Sequence, residues 1–160
     1  MNRIFVSVLA VFAVLAVAGS GAFAMSSGSS TTTTSASTGD ADYQEGRKLV
    51  KQNNFKGAIS KLEKAVAADP ANADAQNLLG YAYRKTGDYE TALVHYTEAL
   101  RLDPELADAH EYIGEAYLKL DDLAKAEEHL ASLETICPSG CEQRDELAEA
   151  VAAYRAAHGG

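Results

Sequence analysis

The sequence predicts an all-α protein in which one helix–turn–helix unit occurs three times and a further helix closes the array. The first observation is a 34-residue spacing, which relates Pro70, Pro104 and Pro138. Other small and large side chains keep the same spacing: Gly46, Gly80 and Gly114; Ala58, Ala92 and Ala126; Leu62, Tyr96 and Leu130. A fixed period of this length indicates stacked copies of one supersecondary unit. Three units align without gaps, at residues 39–72, 73–106 and 107–140.

Each unit is predicted to hold two helices. In the middle unit, apolar residues recur at i, i+3, i+4, i+7 and i+8, which is one helical face. These residues are Ala75, Leu78, Leu79, Ala82 and Tyr83. A second helix is expected from about Tyr89 to Leu102, and it ends before Pro104 because proline disfavours helix in the preceding residue.

The turn between the two helices has its own residues. Gly87 should stop the first helix, and Asp88 should cap the second by accepting a hydrogen bond from an N–H group of its first turn. Asn53-Asn54 and Asp121-Asp122 occupy the same turn in the other units.

These residues together resemble the tetratricopeptide repeat, a 34-residue helix–turn–helix unit. The middle unit shows the pattern best, with Leu79-Gly80, Tyr83, Ala92, Tyr96, Ala99 and Pro104. The third unit carries Ile113-Gly114, Tyr117, Ala126, Leu130, Leu133 and Pro138. The first unit departs at Glu45-Gly46 and Leu49 but keeps Ala58, Leu62, Ala65 and Pro70. The resemblance implies a right-handed α-solenoid over residues 40–140, in which Gly and Ala let paired helices approach and Tyr and Leu fill the space between them.

Residues 141–158 begin like a fourth unit and stop after one helix. Its apolar stripe consists of Leu147, Ala150, Val151 and Tyr154. Helical arrays need a terminal element with a polar outer face. We therefore interpret this segment as a capping helix.

The first 24 positions, 1–24, have the three parts of a cleavable signal peptide. Arg3 precedes an apolar run that extends from position 4 to position 18, and Ala22-Phe23-Ala24 supplies a small-residue cleavage site. The run is shorter than the roughly 20 residues of a membrane span. We expect cleavage after Ala24, a periplasmic or secreted protein, and no stable membrane insertion afterwards. An uncleaved membrane anchor is the alternative.

Residues 25–39 form a predicted linker. All but four of them are Ser or Thr, and such a segment buries too little apolar surface to offset the entropy of ordering it. We interpret it as a disordered spacer, with a glycosylated stalk as the alternative.

The charge of the chain bears on its partners. The net charge is −9, and it becomes −10 once the signal and its Arg3 are removed. Nucleic-acid binding needs a basic surface, so we expect no nucleic-acid partner.

The two cysteines flank a short turn in the sequence Cys137-Pro138-Ser139-Gly140-Cys141. Their spacing differs from the Cys-x-x-Cys of redox enzymes. In an exported chain we expect a disulfide that fixes the capping helix to the third unit. A redox-sensing pair, a metal site and free thiols remain alternatives.

No catalytic pattern is found. The sequence has no glycine-rich phosphate loop, no His-Glu-x-x-His and no Gly-x-Ser-x-Gly, so we predict neither an enzyme nor a cofactor. His95 and His129 keep the repeat spacing and hold equivalent places in adjacent units. We expect both at the surface and not as metal ligands, because zinc needs several convergent ligands.

The resemblance implies that the first helix of each unit lines a concave groove for an extended peptide or a partner helix. The residues on this face are Tyr43, Arg47, Asp74, Asn77, Tyr81, Arg84, Asp108, Glu111, Tyr112 and Glu115. Tyrosine favours recognition because it offers contact area with a polar tip at low entropy cost. We expect Tyr81 and Arg84 to be central.

Chaperone-binding members of the family grip a C-terminal carboxylate with Lys, Asn and Arg. The corresponding positions here are Tyr43, Arg47, Leu78, Asp108 and Tyr112. Only Arg47 could serve and Asp108 would repel, so we predict that this clamp is absent.

The function predicted from the sequence is a non-catalytic protein–protein interaction module of the periplasm. Two alternatives remain open. One is a redox-responsive module that uses Cys137 and Cys141, and the other is a structural spacer that forms homo-oligomers.

Overall fold

The computed structural model describes residues 38–159, and this part of the chain forms seven α-helices and no strand. The helices are α1 (Thr38–Lys51), α2 (Phe55–Ala68), α3 (Ala73–Thr86), α4 (Tyr89–Leu102), α5 (Ala107–Lys119), α6 (Leu123–Ile136) and α7 (Glu142–His158). They confirm the predicted α-solenoid of three helix pairs and a last helix. The predicted signal peptide and most of the predicted linker lie outside the described residues. The predicted linker end at residue 39 falls within the first turn of α1.

The turn inside each unit has the predicted form. Asp88 accepts a hydrogen bond from the Thr91 N–H group at 3.1 Å, and Asn54 and Asp122 cap α2 and α6 at the same distance. The residue before each cap has left-handed backbone: Asn53 (φ 58°), Gly87 (φ 89°) and Asp121 (φ 59°). Glycine, asparagine and aspartate tolerate this conformation best, which explains why the chain reverses there.

Successive helices pack in chain order, and the odd-numbered helices also contact one another in turn, α1 with α3, α3 with α5 and α5 with α7. The even-numbered helices make no such contact with each other within residues 38–159. The odd-numbered helices therefore lie closer together and line the inner, concave side of the array.

The core repeats with the sequence. Ala58, Ala92 and Ala126 are fully buried, as are Leu62 and Tyr96 between their paired helices. The alanines leave room for close helix approach, and the larger side chains fill the space that remains.

The third unit departs from this scheme. A methyl group on Gly46 would lie 2.6 Å from Leu62, and one on Gly80 would lie 2.7 Å from Tyr96. The equivalent Gly114 instead faces Leu147 of α7, at 2.6 Å. Leu130, expected to fill this space, is only partly buried. The fully buried Leu147 stands one repeat length after Ile113, so α7 packs as the first helix of a fourth unit.

Candidate functional site

The inner face of α1, α3 and α5 carries the predicted groove residues. On α3, Asp74, Asn77, Tyr81 and Arg84 follow one another at helical spacing, so one side of that helix presents all four. The face divides into a cavity at the N-terminal halves of the three helices and an aromatic cluster about one helical turn further along.

The cavity has a volume of about 180 Å³ and is lined by Tyr43, Arg47, Asp74, Asn77, Leu78 and Asp108. Burial raises the pKa of Tyr43, and the nearby Asp74 carboxylate adds to the effect. Asp108 accepts a hydrogen bond from Gln143 of α7 at 2.7 Å. The capping helix thus holds one wall of the cavity in place.

The aromatic cluster consists of Tyr81, Tyr112 and Arg84. The two tyrosine rings have their centroids 5.0 Å apart. The Arg84 guanidinium carbon lies 5.3 Å from the Tyr81 centroid and 4.9 Å from the Tyr112 centroid. Cations are attracted to ring faces at these distances, so the cluster is held in shape before any ligand arrives.

Arg84 is anchored from two further sides. It forms an ion pair with Glu115 of α5, and its side chain is 13% exposed. It also lies beside the hydroxyl group of the fully buried Tyr96. Burial raises the pKa of Tyr96 well above its ordinary value, while Arg84 acts in the opposite direction. The guanidinium is thus part of the packing between the second and third units.

Glu111 differs from the position expected for it. The sequence pattern assigns it to the groove surface, but it is only 6% exposed and lies against Glu146 of α7. Burial, followed by a hydrogen bond with Glu146, raises the pKa of Glu111 to about 8. Asn77 is buried as well, at 4% exposed. The structure therefore brings the other predicted residues together on the groove and leaves Asn77 buried in the cavity wall, while Glu111 lies beneath the groove surface.

A polar pair links the two helices of every unit, and the sequence analysis missed it. Lys61 donates to Asp42 at 2.8 Å, His95 Nδ1 donates to Gln76 Oε1 at 2.9 Å, and His110 and His129 have their Nδ1 atoms 3.0 Å apart. All six positions follow the 34-residue spacing. That spacing could have shown from the sequence alone that the three pairs are equivalent. The expectation of surface positions for His95 and His129 is wrong, because both are partly buried in these links.

Cys137 and Cys141 are joined by a disulfide in the structure, with Cα atoms 5.9 Å apart. Cys137 is the C-cap residue of α6, and Cys141 is the N-cap residue of α7. The bond therefore spans the turn that leads into the capping helix.

Metal clusters and membrane-spanning helices are both absent from residues 38–159. None of the His, Cys, Asp and Glu side chains in this range gather in groups of three that could hold a metal ion. None of the helices in the same range has the length and apolar character that crossing a bilayer requires.

The fold and the groove define a class, the α-helical repeat proteins with a concave inner face. A family model described as TPR repeat matches residues 46–87 and again residues 80–121. Together the two matches cover residues 46–121, and this part of the chain is built of tetratricopeptide repeats.

Solved structures share this fold. The second TPR domain of human RPAP3, in complex with the HSP70 peptide SGPTIEEVD, has a TM-score of 0.66 and 25% identity, with 72% of this chain and 95% of that chain covered. MamA from Desulfovibrio magneticus RS-1, residue 41 to its end, has a TM-score of 0.60 and 35% identity, with 62% and 56% covered. The Sgt2 TPR domain from Aspergillus fumigatus has a TM-score of 0.68 and 21% identity, with 78% and 84% covered. No curated protein matches the chain.

Proposed function

We propose that this protein is a non-catalytic protein–protein interaction module that binds an extended peptide segment of its partner in the groove of α1, α3 and α5. The observation that carries the proposal is the preorganised cluster of Tyr81, Tyr112 and Arg84 beside a cavity of about 180 Å³. Aromatic and arginine side chains are enriched among residues that dominate binding energy. Their fixed geometry lowers the ordering cost of association.

The length of the site suits a short segment. Asn77 and Tyr81 are one helical turn apart on α3, which is about 6 Å along the helix axis. An extended peptide rises about 3.3 Å per residue, so a dipeptide of the partner spans from the cavity to the tyrosines. The human RPAP3 domain, which binds an HSP70 peptide ending in EEVD, supports peptide binding by this fold.

The partner differs in chemistry from that peptide. Tyr43, Leu78 and Asp108 occupy the positions where a carboxylate clamp would need Lys or Asn. Asp74 and Asp108 bring negative charge to the cavity wall. A terminal carboxylate would be repelled there, so we infer that the partner is not recognised through such a terminus.

The proposed site of action is the periplasm. The signal-like pattern of residues 1–24 supports export. The disulfide between Cys137 and Cys141 is compatible with an oxidising compartment.

The test is selection of displayed dodecapeptides on the purified protein, followed by affinity measurements with two tyrosine variants. Tyr81→Ala should weaken the selected peptides at least tenfold, because it removes one ring of the cluster and one face of the Arg84 contact. Tyr89→Ala, at the start of α4 on the outer row of helices, should change affinity less than twofold. Thermal melts of both variants show that the fold is retained. Equal losses in the two variants, or peptide-induced NMR shifts confined to α2, α4 and α6, would contradict groove binding.

A further inference from the structure

The cavity of the groove has two carboxylates without a cationic partner. Asp74 forms no ion pair, and Asp108 is bonded only to the neutral Gln143, so neither charge is balanced by a lysine or arginine within residues 38–159. Asp74 is exposed and Asp108 is half-buried, and carboxylates without a cationic partner attract a positively charged ligand group.

One residue of the cavity lining also holds a buried acceptor without a donor. Asn77 is 4% exposed, and its Oδ1 atom is buried with no hydrogen-bond partner among the described residues. An unsatisfied buried carbonyl costs free energy, and a ligand that donates an N–H group would remove that cost. This observation is independent of the two carboxylates, and it favours the same kind of ligand.

Arg47 is the one cation among the residues that line the cavity within the described range 38–159. Its guanidinium lies 5.5 Å from the ring centroid of Tyr43, and it donates a long hydrogen bond to Gln44 at 3.4 Å. These contacts lie along α1 itself, while the two aspartates belong to α3 and α5. The net charge of the lining is therefore negative.

We propose that this cavity binds the side-chain cation of a lysine or arginine in the partner peptide. The N–H donors of that cation would meet the carboxylates of Asp74 and Asp108 and the carbonyl of Asn77, while its aliphatic stem packs on Leu78. A volume of about 180 Å³ corresponds to about six water molecules, which is room for one long side chain. The inference rests on the proposed groove function. The proposed ligand group is positively charged, whereas a carboxylate clamp binds a negatively charged one.

Four libraries of dodecapeptides test the proposal. Each has capped ends and one fixed central residue (Lys, Arg, Met or Glu), with no other charged residue. We expect the purified protein to retain the Lys and Arg libraries at least fivefold more than the Met library, and the Glu library least. Comparison of the Lys and Arg libraries shows which of the two cations the cavity prefers.

The variants locate this preference in the protein. In Asp74→Asn/Asp108→Asn, the preference for Lys or Arg over Met should fall below twofold, while retention of the Met library stays unchanged. Asparagine at position 108 still accepts the Gln143 hydrogen bond, so the wall is preserved. Glu134→Gln, a change of the same charge on the exposed side of α6, is the matched control and should keep the full preference.

Asn77→Leu gives a second, independent readout. A leucine removes the unpartnered carbonyl, so the free protein should be as stable as wild type or more stable in urea. The preference for Lys and Arg should nevertheless fall at least threefold. Loss of that preference without loss of stability assigns Asn77 a role in binding the cation.

Three outcomes overturn the proposal in different ways. Equal retention of all four libraries, still abolished by Tyr81→Ala, would leave groove binding intact and eliminate the cation site. Retention of no library by wild type would overturn both. A preference for Lys and Arg that is unchanged in the Asp74→Asn/Asp108→Asn variant would place the cation elsewhere and also eliminate the site.

Discussion

His110 and His129 face each other between α5 and α6, with their Nδ1 atoms 3.0 Å apart. His110 Nε2 donates to the Pro104 carbonyl at 3.1 Å. Because a neutral imidazole has one donor and one acceptor, Nδ1 of His110 accepts and Nδ1 of His129 donates. The pair occupies the place that Asp42 and Lys61 hold in the first unit.

This relationship predicts a loss of stability in mild acid. Burial, followed by the neighbouring His110, lowers the pKa of His129 to about 4, against about 6.5 in an unfolded chain. The unfolded state therefore binds more protons between these values, and folded stability falls as pH drops from 6.5 towards 4. We expect this group to remove about 1–2 kcal/mol, allowing for solvent screening of a partly exposed ring.

The measurement is urea unfolding at pH 7, 6 and 5 for wild type and His129→Gln, with NMR titration of the His129 ring. The variant should show a shallower pH slope. His110→Gln, which copies the Gln76–His95 pair of the middle unit, should raise the pKa of His129 but leave it below 6.5. A titration midpoint near 6.5 in wild type would contradict the prediction.

A second prediction concerns Gly114 and Leu147. Gly114→Ala would place a methyl group 2.6 Å from the Leu147 side chain, and overpacking of this kind costs about 1–3 kcal/mol. Leu147→Ala alone should cost about 2–5 kcal/mol because it leaves a cavity. The double variant should lose less stability than the sum of the two single losses, since alanine at position 147 makes room for the methyl group added at position 114. Urea unfolding of the three variants measures this coupling, and strict additivity would count against the contact.

The sequence was sufficient to predict the repeated part of the fold for a local reason. The bounds of α4 and the cap at Asp88 depend on residues within a few positions of one another, and the 34-residue spacing then extends the result to the other units. The inner face was likewise predictable at Tyr81, Tyr112 and Arg84, because helical spacing alone assigns them to one side.

The errors all involve contacts between helices. Glu111 has a polar side chain, so its own helix pattern assigns it to the surface, and only the packing of α7 onto α5 buries it. Leu130 keeps the repeat spacing, but Leu147 of the next helix takes the space beside Gly114. The histidine pair depends on the register of α5 against α6, which no single helix pattern contains.

A third prediction concerns the disulfide. Cross-linking a loop of about five residues stabilises the folded chain by about 2 kcal/mol in the chain-entropy estimate. The Cys137→Ser/Cys141→Ser variant should therefore be less stable by about that amount. Most of the effect should appear as more frequent opening of α7. Hydrogen exchange should speed up in α7 and remain unchanged in α3, which contacts neither α6 nor α7 in the described part of the chain. Two free thiols in the native protein would show that the bond is not formed.

The last prediction concerns Glu111, which is buried against α7. Burial, followed by the hydrogen bond with Glu146, raises its pKa to about 8, so the folded state retains a proton that the unfolded state releases near pH 4.5. Stability is therefore lost as pH rises from 4.5 to 8. Glu111→Gln keeps a neutral side chain at every pH. The variant should therefore be more stable than wild type by about 1–2 kcal/mol at pH 8–9, after allowance for solvent screening. Its stability should match that of wild type below pH 5.

Urea unfolding at pH 5 and 8.5 gives the comparison, with Glu134→Gln as the exposed control. An equal effect of Glu111→Gln at both pH values would show that Glu111 is ionised in the folded protein, and that α7 packs against a charged side chain.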